Sequence, residues 1–170
     1  MTNRVICWVV FCATCFAFSA CGSATPETTQ PAAIPAAAAA PTPLKASAYK
    51  VEWLSHKVPS EMEAAKEYSV PVTLRNMGDG IWPSKGGPSD VLISYHWLPG
   101  QGDKAVVPEG ARTPLPHDIA PGETFTVNNV KVVSPKEPGS YRLQLTLVHE
   151  RVVWFETAKA ATLIVPVTVR

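Results

Sequence analysis

Apolar and polar residues alternate along this chain in short runs with a period of two. In "VLISYHW" the positions Val91, Ile93, Tyr95 and Trp97 alternate with Leu92, Ser94 and His96. Successive side chains of a strand point to opposite faces, so the first set is predicted to face a core and His96 to face outward. The same pattern puts Val70, Val72 and Leu74 of "YSVPVTLRN" on one face, Tyr141, Leu143, Leu145 and Leu147 of "SYRLQLTLVHE" inward, and Leu163, Val165, Val167 and Val169 of "TLIVPVTVR" on one side. "YKVEWL", "ETFTVNNVKVV" and "VVWF" read as further strands, and "AVVPEGARTPLP" as an irregular edge crossing. Pro71 has no N–H to give a ladder, so its strand must carry an edge or a bulge there, and the pair Asn128 and Asn129 marks a second bulge. The runs predict about seven to eight strands between Tyr49 and Arg170. "PSEMEAAKE" competes with a capping-box pattern, Ser60 three residues before Glu63, but has too short an apolar run for more than a short helical turn.

Composition supports the same class. With 46% hydrophobic residues the chain can build a core, while 17 prolines and 10 glycines against 17% charged residues disfavour long helices. The predicted fold is all-β, an antiparallel sandwich over residues 49–170, a length of roughly 120 residues that suits one domain.

The first residues read as targeting rather than fold. "MTNR" is followed by the apolar run Val5 to Phe18 and then by small residues, the layout of an export leader over residues 1–20, and too short to span a membrane comfortably. All four cysteines, Cys7, Cys12, Cys15 and Cys21, lie in this stretch, so the domain can hold neither a disulfide nor a cysteine metal site. "FSACGS" resembles a bacterial lipoprotein box, which implies that Cys21 becomes the acylated N-terminus. Gly22 stands where that pattern would carry an aspartate for inner-membrane retention, which implies the outer membrane in a cell that has two. Residues 21–48 are rich in Pro, Ala and Thr with almost no charge, and are predicted to form a disordered, lipid-anchored linker. At about 3 Å per residue, roughly 25 such residues reach at most some 75 Å.

Charge excludes one class of partner. Of the 15 Lys and Arg, Arg4 leaves with the leader, and the remainder equals the 14 Asp and Glu, so no basic footprint for nucleic acid remains. Catalytic templates lack their parts: there is no Gly-x-Ser-x-Gly elbow, no phosphate-cradling loop and no Cys-His pair. The histidines His56, His96, His117 and His149 show no metal-ligand spacing and read as solvated, His149 near a turn. "GDG" at Gly78 to Gly80 reads as a tight turn whose glycines tolerate positive φ, not as a calcium loop. No cofactor is implied and no enzyme is expected.

"LRNMGDGIWP", "IAPGETFTVNNVKVVSPKEPGSYRLQL" and "VVWF" together resemble the immunoglobulin-like, four-tryptophan domain of the next-to-BRCA1 family, in its bacterial surface version. The shared residues are Asn76, Gly78, Trp82 and Pro83, then Pro121 and Gly122, then Pro138, Gly139 and Tyr141. "PGSY" also resembles the tyrosine corner of immunoglobulin-like sandwiches. The resemblance implies a binding or spacer module without catalysis, and carries no ligand residues. Trp82, Tyr95, Trp97 and Tyr141 are the expected structural core, with Trp82 brought back under the sandwich by the turn at Met77 to Gly80 and restricted by Pro83. Trp154 and Phe155 are adjacent, so one of them must point away from the core, and with His96 they form the expected binding surface. The expected function is a lipid-anchored envelope module that contacts or assembles proteins through such a surface or through exposed strand edges. A carbohydrate module of a surface polysaccharide system is the rival reading.

Overall fold

The computed structural model describes residues 42–170. The leader, Cys21 and most of the Pro/Ala-rich stretch lie outside the described residues. A three-stranded sheet is ordered β1 (Val51–His56), β3 (Glu67–Asn76), β6 (Thr124–Val133). The facing sheet is ordered β2 (Glu61–Met62), β9 (Leu163–Val169), β7 (Gly139–His149), β4 (Val91–Pro99), β5 (Thr113–Pro114), with β8 (Val153–Trp154) added on β7. This is an immunoglobulin-like β-sandwich. Among the described residues it has nine strands rather than seven or eight because β2, β5 and β8 are two-residue pairings too short to leave a periodic signal. The β2–β9 pair is parallel, so the sandwich is not wholly antiparallel.

The alternation is borne out in burial. Val70, Val72, Leu74, Val91, Ile93, Tyr95, Trp97, Leu143, Leu145, Leu147, Val165, Val167 and Val169 are all buried, and every one lies on the predicted inner face. Tyr141 differs: its ring is half-buried, packed edge-on to Trp97 at 6.1 Å. Its hydroxyl donates to the Glu137 carbonyl at 2.9 Å, the backbone closure of a tyrosine corner. Pro71 and the asparagine pair turn out to be one feature. Val70 pairs with Val130 and Val72 with Val127, so β6 bulges at Asn128 and Asn129 where β3 has no N–H to offer.

No α-helix occurs among the described residues, and the capping-box segment holds β2 and a turn instead of a helical turn. There Ala65 takes a positive φ of 55°, and Met62 is buried in the core. Burying Met62 beside β9 outweighs two turns of isolated helix, which would be marginal in water.

The linker boundary at Ala48 is corrected. A 3-10 turn, Ala46–Ala48, packs on the domain; Ala48 is buried and Leu44 packs against the core. The composition of this stretch gives no hint of docking because the contacts use its backbone. The Trp82 indole donates to the Ala48 carbonyl at 2.8 Å. A side chain on Gly78 would place its Cβ 2.2 Å from the same oxygen. Gly78 and Gly80 are therefore required for close approach and not for positive φ, which neither adopts. The reversal itself is built by Asn76, fully buried, whose side chain accepts from the Gly78 N–H at 2.9 Å and donates to the carbonyls of Gly80 and Ile119.

Candidate functional site

One edge of β7 is occupied by β4 along its length; the other is shared by β9 and then β8. The chain reverses at Glu150 and Arg151, where Arg151 adopts a φ of 61°, and β8 delivers Trp154 and Phe155 to opposite faces. Phe155 is fully buried, edge-on to Tyr49 at 5.1 Å and to Trp82 at 5.3 Å. It belongs to the core, so its place in the expected binding surface is corrected. Trp154 lies outward and half-buried.

Outside the six-stranded sheet, Trp154 meets two basic side chains. The Arg112 guanidinium lies 4.6 Å from its ring centroid and the His96 ring 4.6 Å from it, tilted by 46°. Arg112 is fixed in turn: it donates to Ser94 Oγ at 3.0 Å, to the Gly110 carbonyl at 2.9 Å and to Glu150 at 3.2 Å. His96 does face outward, but it is not solvated, its side chain being only 13% exposed. One ring nitrogen meets the Pro108 carbonyl and the other Glu156 Oε1 at 2.9 Å. The hydrogen bond with Glu156 raises the His96 pKa above its ordinary 6.5, against the opposing pull of desolvation. Burial works to raise the Glu156 carboxyl, but hydrogen bonds from His96 and Thr146 outweigh it and hold the group ionised below its usual range. Both partners of the ring are acceptors, an arrangement that favours the doubly protonated ring. The cluster ties the segment after β8 to the sheet and already engages Trp154.

His149, expected to be solvated, is 1% exposed and bonded through Nδ1 to the Tyr49 hydroxyl at 2.9 Å. The end of β7 is roofed by the segment before β1, so the inward parity of His149 holds up to the turn. His117 is exposed and pairs with Glu123 at 2.6 Å, and His56 is exposed. Among the described residues no group of three or more His, Cys, Asp or Glu converges to hold a metal.

A larger concavity lies elsewhere, at the open edge between the sheets. It is a groove of about 690 Å³. The crossing segment forms one wall: Val106 N–H and the Val107 carbonyl bond to the backbone of Trp97. The end of β6 forms the other, continuing through Pro135 to Tyr141. Its apolar lips are Val106, 50% exposed, and Val133, 40% exposed. Below the lips, the Val133 N–H donates to the Tyr95 hydroxyl and the Val133 carbonyl accepts from the Trp97 indole, each at 2.8 Å. Lys131 N–H donates to Thr113 Oγ1 at 3.0 Å. Both main-chain groups of Val133 are thus engaged within the domain, and the groove presents shape and apolar surface there. Lys136, Glu137 and Glu109 are its charged members.

The alternation of β6 already sends Val133 outward, but nothing periodic marks Val106 or Arg112, which lie in the irregular crossing. That crossing separates the two features, and Glu109 borders both.

No family model matches the chain, and no curated protein matches it. Among solved structures, the CARDB domain of a Pyrococcus furiosus protein, described in complex with di-metal ions, is 17% identical at a TM-score of 0.43, covering 71% of this chain and 86% of its own. A β-glucosidase from Listeria innocua is also 17% identical, at a TM-score of 0.41, and covers 71% of this chain but only 16% of its own. Similarity at this level bears on neither ligand nor activity.

Proposed function

We propose that the protein is a non-enzymatic module of the bacterial cell envelope, held to its membrane through a lipid on Cys21 and serving protein contact or assembly. The groove between Val106 and Val133 is the observation that carries this reading. It is apolar at its lips and open to solvent, and the Val133 main chain at its edge is engaged by Tyr95 and Trp97. Its occupant is an extended apolar segment of another envelope protein, lying between the crossing segment and β6. Exposed apolar surface of this kind is what protein contacts bury.

The rival, carbohydrate binding, rests on Trp154. Sugar stacking needs a free aromatic face. Arg112 and His96 engage that ring, which favours the protein-contact reading. The four-tryptophan resemblance fits a contact module as well, since Trp82 and Trp97 serve the core.

A photo-crosslinking amino acid at Val106 in intact cells tests the proposal. A discrete adduct from Val106, absent from the same probe at the exposed Glu52, is the expected result. Equal adducts from both positions, or none from Val106, would refute a specific contact.

A further inference from the structure

The segment in front of β1 meets the domain where β3 runs into its turn. Ser47 Oγ donates to the Asp79 carboxylate at 2.8 Å, the Met77 N–H donates to the Lys50 carbonyl at 2.8 Å, and the Gly78 backbone lies against the Ala48 carbonyl. Farther toward the N-terminus, Thr42 and Leu44 border Pro83 and His149 at the same end of the sandwich. The chain that leads from Cys21 thus reaches the domain beside the turn over residues 77–81.

That turn carries apolar side chains it cannot bury. Asn76 and Trp82 are fully buried and pinned by their hydrogen bonds, and the residues next to them point away from the core. Ile81 is 56% exposed and Met77 49%, so Ile81 is the most exposed large hydrophobic residue among the described ones. Charge around them leans positive where it is free. Asp79 is engaged by Ser47, Asp118 by Lys85 at 2.8 Å and Glu123 by His117 at 2.6 Å. Lys45 and Lys50 are exposed and have no ion-pair partner among the described residues.

Resting on the lipid attachment proposed above, we propose that this end of the domain is a membrane-contact face. Met77 and Ile81 enter the interfacial layer of a phospholipid bilayer, and Lys45 and Lys50 reach its headgroup phosphates. The place where the tether arrives selects this occupant, because an anchored chain keeps this end nearest to the lipid surface. Two apolar side chains and two lysines are too few to hold a free domain on a bilayer, so the face works only while the anchor keeps it there.

The contact also orients the domain. Thr124 pairs with Arg75 beside the turn, while Val133 stands at the other end of β6, roughly 30 Å away at about 3.3 Å per residue. A domain resting on Met77 and Ile81 holds the groove away from the lipid surface and open to a partner.

The test uses the mature, lipid-bearing chain in vesicles of phosphatidylethanolamine and phosphatidylglycerol. Once Cys7, Cys12 and Cys15 leave with the leader and Cys21 is acylated, an introduced cysteine is the only free thiol. Ile81→Cys and, as a control just beyond the far end of β1, Lys57→Cys each carry a bimane fluorophore; both positions are exposed, so neither change disturbs the core. The label at 81 is expected to be quenched by lipids bearing a nitroxide just below the headgroups and to be shielded from aqueous iodide, and the label at 57 to show the reverse. Lys45→Glu combined with Lys50→Glu should abolish the lipid quenching at 81, whereas quenching that survives would mean that the fluorophore drives insertion and would overturn the proposal. Iodide access at 81 equal to that at 57, in protein that sediments with the vesicles, would overturn the membrane face and leave lipid attachment standing. Shielding at 81 without lipid quenching would overturn it as well, since a protein would then cover the turn. Protein that stays in the supernatant would contradict lipid attachment, and this face with it.

Discussion

The Trp82 indole N–H donates to the Ala48 carbonyl across 34 positions of sequence, at 2.8 Å and out of contact with solvent. This bond joins the turn after β3 to the last residue before Tyr49, and it makes Trp82 a core anchor. Phe125 and Phe155 meet its ring edge-on at 6.4 and 5.3 Å. Removing a fully buried ring typically costs about 3–5 kcal/mol. Trp82→Ala should accordingly lower the urea midpoint severely or prevent folding, and an unchanged midpoint would contradict the anchor.

The proposed attachment at Cys21 should be separable from folding, because among the described residues the buried core cluster begins at Tyr49, with Leu44 packed against it. Cys21→Ala should move the protein from the membrane fraction to the soluble one with the same unfolding midpoint. Full retention in membranes together with an intact leader would contradict lipid attachment.

The His96–Glu156 pair makes a pH-dependent contribution whose sign is fixed. The folded state raises the His96 pKa, so its share of stability is complete below 6.5 and is lost as pH rises through the raised value. Glu156, depressed in the folded state, adds the opposite limit: its share is complete above 4.5 and is lost at lower pH. The difference in urea midpoint between wild type and His96→Gln should be largest near pH 6 and shrink toward alkaline pH. A difference that does not change with pH would mean that His96 is not charged.

Much of the fold was legible in the sequence because a sandwich strand imposes a strict period of two. Val91 to Trp97 and Leu143 to Leu147 show this, and Pro71 and Asn128 marked their bulge by backbone chemistry alone. What escaped depended on contacts between distant segments. His149 continues the inward set of β7 but stands next to the turn, where it reads as solvated; the segment around Tyr49 roofs it. Phe155 and Trp154 could be assigned to opposite faces but not to particular ones, since that choice rests on the register of a two-residue strand. Val106 and Arg112 belong to a crossing with no periodicity, so neither the groove nor the Trp154 cluster was visible.

Trp154 separates the rival readings. With Arg112 and His96 at its ring, Trp154→Ala should loosen the segment after β8 by about 1–2 kcal/mol, in the range of a cation–π contact plus part of its buried area, and leave no sugar affinity to lose. A glycan array that finds selective binding by the wild type, abolished in Trp154→Ala, would establish the carbohydrate module instead.

The groove is the centre of the account, and binding by a surface variant tests it most directly. Val133→Asp places a charge on an exposed lip without touching the Val133 backbone bonds to Tyr95 and Trp97, so the domain should keep its urea midpoint. Titration calorimetry with the protein captured through Val106 should then show at least tenfold weaker binding for Val133→Asp, about 1.4 kcal/mol or more, and an affinity within twofold of wild type for an exposed control, Glu52→Lys. Undiminished binding by a folded Val133→Asp protein would contradict a contact made through the groove.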